Sequence, residues 1–205
     1  MSKKTEKIEN AIRELGQSLS YDDREEIINW DYLVCNHHFS EDFIREFRIH
    51  LTWEDICNHQ ILSEDFIREF KDEADWERLC SSQTLSEDFI REFEEDVDWF
   101  YISSHQTLSE DFIREFQDRV EWKNICKEQI LSEDFIKEFK SKIDNINWYK
   151  LLIHQTLSEG FLYDMKEEMG EIHYNYCIKK GKISEEYISE KNRPPTRFEL
   201  LDFED

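Results

Sequence analysis

The nine-residue string LSEDFIREF stands verbatim at Leu62–Phe70, Leu85–Phe93 and Leu108–Phe116. FSEDFIREF at Phe39–Phe47 and LSEDFIKEF at Leu131–Phe139 each differ from it by one residue. Tryptophans precede these strings in step, at positions 30, 53, 76, 99, 122 and 148, so the spacing is 23 four times and then 26. A serine follows each tryptophan by ten residues: Ser40, Ser63, Ser86, Ser109, Ser132 and Ser158. A further step of 26 reaches Tyr174 and Ser184, with ISEEYIS in place of LSEDFIR. A fixed period of this length marks stacked supersecondary units, none of which buries its apolar face alone. The sequence therefore predicts six clear repeats and a degenerate seventh over residues 30–191. The seventh falls where a terminal capping unit belongs.

Each unit reads as two short helices. The first opens at Trp after Asn29, Thr52, Asp75, Asp98, Glu121 or Asn147, and all but Glu121 are good N-caps. Its inward face is Trp and the third, fourth and seventh residues beyond it, as in Trp76, Leu79, Cys80 and Gln83. The second opens with the repeated Ser as N-cap, and two acids follow at the positive end of the helix dipole. Its inward residues are Phe89, Ile90, Phe93 and Val97, and their equivalents elsewhere. The repeat core is thus Trp30, Trp53, Trp76, Trp99, Trp122 and Trp148 with Phe43, Phe66, Phe89, Phe112, Phe135 and Phe161. Helices this short are marginal in water, so neighbouring units must share a core. The expected fold is an all-α solenoid of stacked two-helix repeats, its aromatic rings packed between successive layers. Arg and the second Glu of LSEDFIREF read as surface letters, retained by recent internal duplication.

The flanks differ. Residues 3–15 read as an N-terminal capping helix, followed within 1–29 by a degraded LSYDDREEI segment. Residues 192–205 form an acidic–hydrophobic tail carrying Phe198 and Leu201, which packs on the last repeat or serves as a partner motif. The insertion at Asn145-Ile146-Asn147 and the glycine at Gly160, in place of the repeated Asp, predict altered curvature.

Charge narrows the function classes. The net charge of −23 disfavours nucleic acid, whose binding needs clustered Lys and Arg. It disfavours an anionic membrane surface too, and no apolar stretch approaches the ~20 residues that span a bilayer. The polar start MSKKTEKIENAIREL has no signal-peptide core, and five cysteines is an odd number. Both point to a soluble protein with reduced thiols. No phosphate-cradling, dinucleotide, zinc-protease or paired Cys motif is present, so neither an enzyme nor a cofactor is expected. Cys57 lies near His59, and Cys35 near His37 and His38, but Cys57, Cys80 and Cys126 share the slot four after Trp with Ser103 and Leu152. That slot reads as packing, and no metal is expected. Gln60, Gln83, Gln106, Gln129 and Gln155 recur at one position, a ladder suited to setting register between units.

A docking face is suggested by contrast. The outward letters of the second helix hardly change, whereas those of the first vary from unit to unit. Phe100, Tyr101, His105, Lys123, Tyr149 and Ile153 lie on that variable face. Exposed aromatics there are typical interface anchors.

The combination of Trp, Gln-x-LSEDFIREF and the 23-residue period resembles the short repeats carried in multiple copies by proteins of giant viruses, the nucleocytoplasmic large DNA viruses. The resemblance covers residues 30–190 and implies a virus-encoded helical repeat protein of the host cytoplasm or the virion. The expected function is a non-enzymatic scaffold for protein–protein interaction, engaging a basic host or viral protein. The alternative is a structural virion component, a minor capsid or tegument-like protein.

Overall fold

The computed structural model describes residues 29–192. Among them every regular element is a helix. The helix expected at residues 3–15 lies outside the described residues, as do Phe198 and Leu201. The chain divides into two units, Met1–Leu85 and Ser86–Asp205. In the first, Trp helices Trp30–Asn36, Trp53–His59 and Trp76–Ser82 alternate with Ser helices Glu41–Phe47 and Glu64–Glu69. In the second, Ser helices Glu87–Glu92, Glu110–Glu115, Glu133–Glu138 and Glu159–Asp164 alternate with Trp helices Trp99–His105, Trp122–Glu128 and Asn145–His154. Lys166–Lys179 and Glu185–Lys191 complete it. Within each unit the Trp helices pack on one another in chain order. Each unit is a segment of α-solenoid.

The caps explain why the helices start where they do. All six repeated serines accept the backbone N–H three residues on, and Ser184 does the same in the seventh repeat. Asn29, Thr52, Asp75 and Asp98 cap the Trp helices through their side chains. Asn147 does not. Its helix starts at Asn145, three residues before Trp148, and Asp144 caps it. The insertion thus lengthens one Trp helix at its N-terminus and leaves Asn147 buried inside.

Two expectations about the core need correction. The Ser helices stop earlier than the apolar spacing predicts. In Glu87–Glu92 the helix ends where Phe93 takes φ −115°, and a turn closed by Val97 N–H to the Phe93 carbonyl follows. Val97 and Val120 are still buried, but at the end of that turn. The indoles of Trp30, Trp53, Trp76, Trp99 and Trp122 are half-buried edge groups. Each is the first residue of its helix, at the margin of its repeat. Trp99 lies 6.2 Å and 4.9 Å from the rings of Phe112 and Phe116, and Trp122 lies 6.3 Å and 5.1 Å from Phe135 and Phe139. These stacks close a repeat on itself. Trp76, Trp99 and Trp122 point their N–H groups at the carbonyls of Lys71, Glu94 and Gln117, five residues back. Trp148 is the exception. It is 1% exposed, and its indole N–H has no partner among the described residues. The three inserted residues separate it from the turn that holds the acceptor for Trp76, Trp99 and Trp122.

Phe66, Phe89, Phe112, Phe135 and Phe161 are buried, while Phe43 is half-buried. The Arg45 guanidinium covers the Phe66 ring at 5.0 Å, and no such cover reaches Phe43 from the described residues. In the sixth repeat Gly160 makes room for the seventh, since a Cβ there would stand 3.1 Å from the Tyr187 hydroxyl. At Gly170 (φ 76°, ψ 162°) the chain kinks within Lys166–Lys179, a conformation essentially restricted to glycine.

Candidate functional site

The carboxamides of the Gln ladder read the preceding repeat at three points. Gln129 Nε2 donates to the carbonyls of Ser103 (3.2 Å) and Gln106 (2.7 Å), and its Oε1 accepts from Leu108 N–H at 3.0 Å. Gln155 repeats the pattern on Cys126, Gln129 and Leu131. In the first unit Gln60 does so on Val34, His37 and Phe39, and Gln83 on Cys57, Gln60 and Leu62. The carbonyls are those left open at the C-terminus of a Trp helix. The N–H belongs to the Leu or Phe that opens the repeated string. Only an amide supplies two donors and an acceptor in one plane, so Glu or Leu in this position fails.

The supposed surface letters turn out to be links between repeats. Arg114 Nε donates to Glu138 of the next repeat at 2.9 Å, Nη1 meets Asp111 at 2.8 Å, and the guanidinium lies 5.0 Å from the Phe135 ring centroid. Arg45 and Arg91 hold Glu69 and Glu115 in the same way, each at 2.8 Å. The first Glu reaches forward to the next N-cap. Glu87, Glu110 and Glu133 each accept the backbone N–H of Ser109, Ser132 and Ser158 at 2.6 Å. Every letter of LSEDFIREF is thus employed: four bury apolar surface, one caps, and the charged ones tie each repeat to itself and its neighbours. One such half-exposed ion pair is worth ~0.2–1 kcal/mol, but the motif repeats it.

The slot four after Trp is more than packing. Ser103 Oγ accepts the N–H of Glu121, the residue preceding the next Trp, at 2.9 Å. Cys57 occupies the same place opposite the Asp75 backbone, and burial pushes its thiol up to about 12. Cys126 is likewise pushed up to about 12 by burial, with the Asp144 charge adding to it. These thiols are inert.

The variable outer face of the Trp helices in the second unit is where candidate contacts gather. Phe100 is 53% exposed and meets Tyr101 edge-on at 5.3 Å. Tyr101, half-buried, lies 5.6 Å from the exposed His105 ring. Tyr149 and Ile153 are exposed, four apart on Asn145–His154, with Tyr149 6.3 Å from Tyr176. Trp122–Glu128, bearing exposed Lys123, packs between the helices that hold these two clusters. Glu128 on that helix has its carboxyl held below the ordinary range by the Lys127 ammonium and by the charges of His154 and His105. The face therefore presents two aromatic clusters separated by a charged strip.

Sequence reasoning missed other exposed apolar groups. Ile130, the letter between Gln and Leu, is 94% exposed, and Ile61 is its equivalent. Ile172 projects beside an open cleft of about 560 Å³ lined by Asn145, Met169, Gly170, Glu171 and His173. There a His173 ring nitrogen is engaged by the Met169 carbonyl at 2.8 Å. The Gln-x-Leu variation signals the first pair; nothing in the period signals the third.

Comparison with protein families, curated proteins and solved structures finds no match to this chain. Among the described residues no helix is long and apolar enough to cross a membrane.

Proposed function

We propose that this chain is a non-enzymatic helical repeat scaffold that docks a protein partner on the outer face of its Trp helices. The observation that carries the reading is a division of labour. The charged side chains of the Ser helices are committed to one another across repeats, as in Arg114–Glu138 and Arg91–Glu115. The Trp helices instead expose Phe100, Tyr149 and Ile153 on a face whose residues vary from repeat to repeat. Large aromatic groups beside a polar strip suit interface anchors. With a net charge of −23, a basic partner is favoured by electrostatic steering. A partner in the host cytoplasm or the virion fits the resemblance to giant-virus repeats.

The test is the double variant Phe100→Ala, Tyr101→Ala in an affinity capture from infected cytosol. The reading expects one stoichiometric partner, lost in the variant while the far-UV circular dichroism is unchanged. Equal capture by the variant removes this face from consideration. The bonding of repeat to repeat along the Ser helices favours a second reading, a structural virion component. Abundance in purified particles supports that one.

A further inference from the structure

Two successive Trp helices of the first unit bring a thiol, a carboxylate and an imidazole together. Cys35 stands five residues after Trp30, and Asp55 and His59 stand two and six after Trp53. Four residues apart, Asp55 and His59 share one side of their helix. The packing of Trp30–Asn36 on Trp53–His59 sets Cys35 beside them. One donor atom from each side chain lies within 4.8 Å of the others. Cys35 and His59 are exposed and Asp55 is half-buried, so the cluster is open to solvent.

The carboxylate is held in place. Thr52 caps the helix by accepting the Asp55 N–H at 3.1 Å, and its hydroxyl donates to Asp55 Oδ2 at 2.7 Å. One carboxylate oxygen is thereby fixed and Oδ1 is left for another partner, the outer-shell arrangement that orients a metal-binding acid. Among the described residues the trio occurs once. At the next step of the stack the same positions hold Asn58, Arg78 and Ser82, where Ser82 Oγ meets Asn58 Oδ1 at 3.1 Å. Further on they hold Ser104, Asn124 and Glu128, then Lys127, Lys150 and His154.

We propose that Cys35, Asp55 and His59 bind a zinc-class transition ion, which clips the first two Trp helices together. Sulfur and imidazole donors select zinc, cobalt or a like ion over magnesium and calcium, which want oxygen alone. Three protein donors leave a fourth position for water. Metal bonds of about 2.0–2.3 Å place tetrahedral donors roughly 3.3–3.6 Å apart. The observed cluster closes to that by about 1 Å, within the swing of exposed side chains between staggered rotamers. As the sulfur–metal bond forms, the thiol proton passes to solvent; no oxidation state changes. The sequence hides this site. It places Cys35 beside His37 and His38, whereas folding supplies His59; and the Cys57 it shows near His59 is buried in the packing slot.

Cobalt(II) titration of the full chain tests the proposal. One ion per chain is expected, with a thiolate-to-cobalt charge-transfer band in the near ultraviolet, displaced by zinc and untouched by excess magnesium. Cys35→Ser removes the band with the helical spectrum intact. His59→Gln and Asp55→Asn each weaken binding by about tenfold or more, the scale typical even of groups that only orient a ligand. Zinc also shields Cys35 from iodoacetamide. No band at stoichiometric cobalt overturns the site, as does a band that survives Cys35→Ser or an affinity unmoved by His59→Gln.

Discussion

Replacing Gln129 with Leu probes the bonding between repeats at its most concentrated point. Leu nearly conserves the volume, so no large cavity forms and the loss is polar. Three contacts disappear: the donors to Gln106 (2.7 Å) and Ser103 (3.2 Å), and the acceptor for Leu108 N–H (3.0 Å). Gln129 is 5% exposed, so water cannot replace it without opening the stack. An orphaned buried donor or acceptor costs roughly 1–3 kcal/mol. Among the described residues the Leu108 N–H has no second partner to turn to, while each carbonyl keeps a second lone pair and falls at the low end. Greater burial of a Leu side chain offsets about 1 kcal/mol. The net expectation is on the order of 2–4 kcal/mol. With a urea slope of ~1–3 kcal/mol per molar, the midpoint read by tryptophan fluorescence falls by about 1–2 M. Gln129→Glu is worse, because a carboxylate offers no donor to the two carbonyls and buries a charge. Glu138→Gln, which weakens a surface ion pair, is the control at under ~1 kcal/mol. A Gln129→Leu midpoint indistinguishable from that of Glu138→Gln refutes the reasoning.

Other expectations follow from the same contacts. Ser109→Ala removes the cap on Phe112 N–H and lowers stability by about 1 kcal/mol in a urea titration; Thr at the position restores most of it. Gly170→Ala forces a side chain into φ 76° and costs ~1–3 kcal/mol, read as a lower thermal midpoint. The thiols of Cys57 and Cys126 ionise near 9.0 when unfolded and at about 12 when buried. Their raised folded values contribute stability that is complete below pH 9 and is lost as pH rises toward 12; Cys57→Ser and Cys126→Ser together flatten that slope in alkaline urea titrations. The Glu168 carboxyl, held below 4.5 by the Lys140 ammonium, contributes stability above that pH that fades as pH falls through its lowered value. Lys140→Met returns its NMR titration toward 4.5.

What could be read from the sequence was what is local or strictly periodic. The Ser caps, the acidic first turns and the inward Phe and Ile depend on residues within one turn of helix, and in Glu87–Glu92, Glu110–Glu115 and Glu133–Glu138 they stand where the spacing puts them. The Gln ladder was legible as a register device because one residue type recurs seven after Trp. Its three bonds were not, since their partners lie 21 to 26 residues back for Gln129. Arg114 looked like a surface letter because its local pair to Glu110 is visible in sequence, while Glu138 is 24 residues away. Asn147 reads as a cap because it precedes Trp; the inserted residues simply add about one turn to the helix, which no local rule forbids. On the outer face, spacing puts Phe100, Tyr101 and His105 on one helix, where Tyr101 lies between the other two rings. It said nothing of Cys35 meeting His59, because only the packing of one Trp helix on the next joins them.

Amide bonds through glutamine side chains join one repeat to the next. Trans-hydrogen-bond scalar couplings measured by NMR see such bonds directly. Couplings from the backbone nitrogens of Leu62, Leu108 and Leu131 to the side-chain carbonyl carbons of Gln83, Gln129 and Gln155 are expected. Rapid solvent exchange at those three amides, with no coupling to any glutamine, would contradict that bonding.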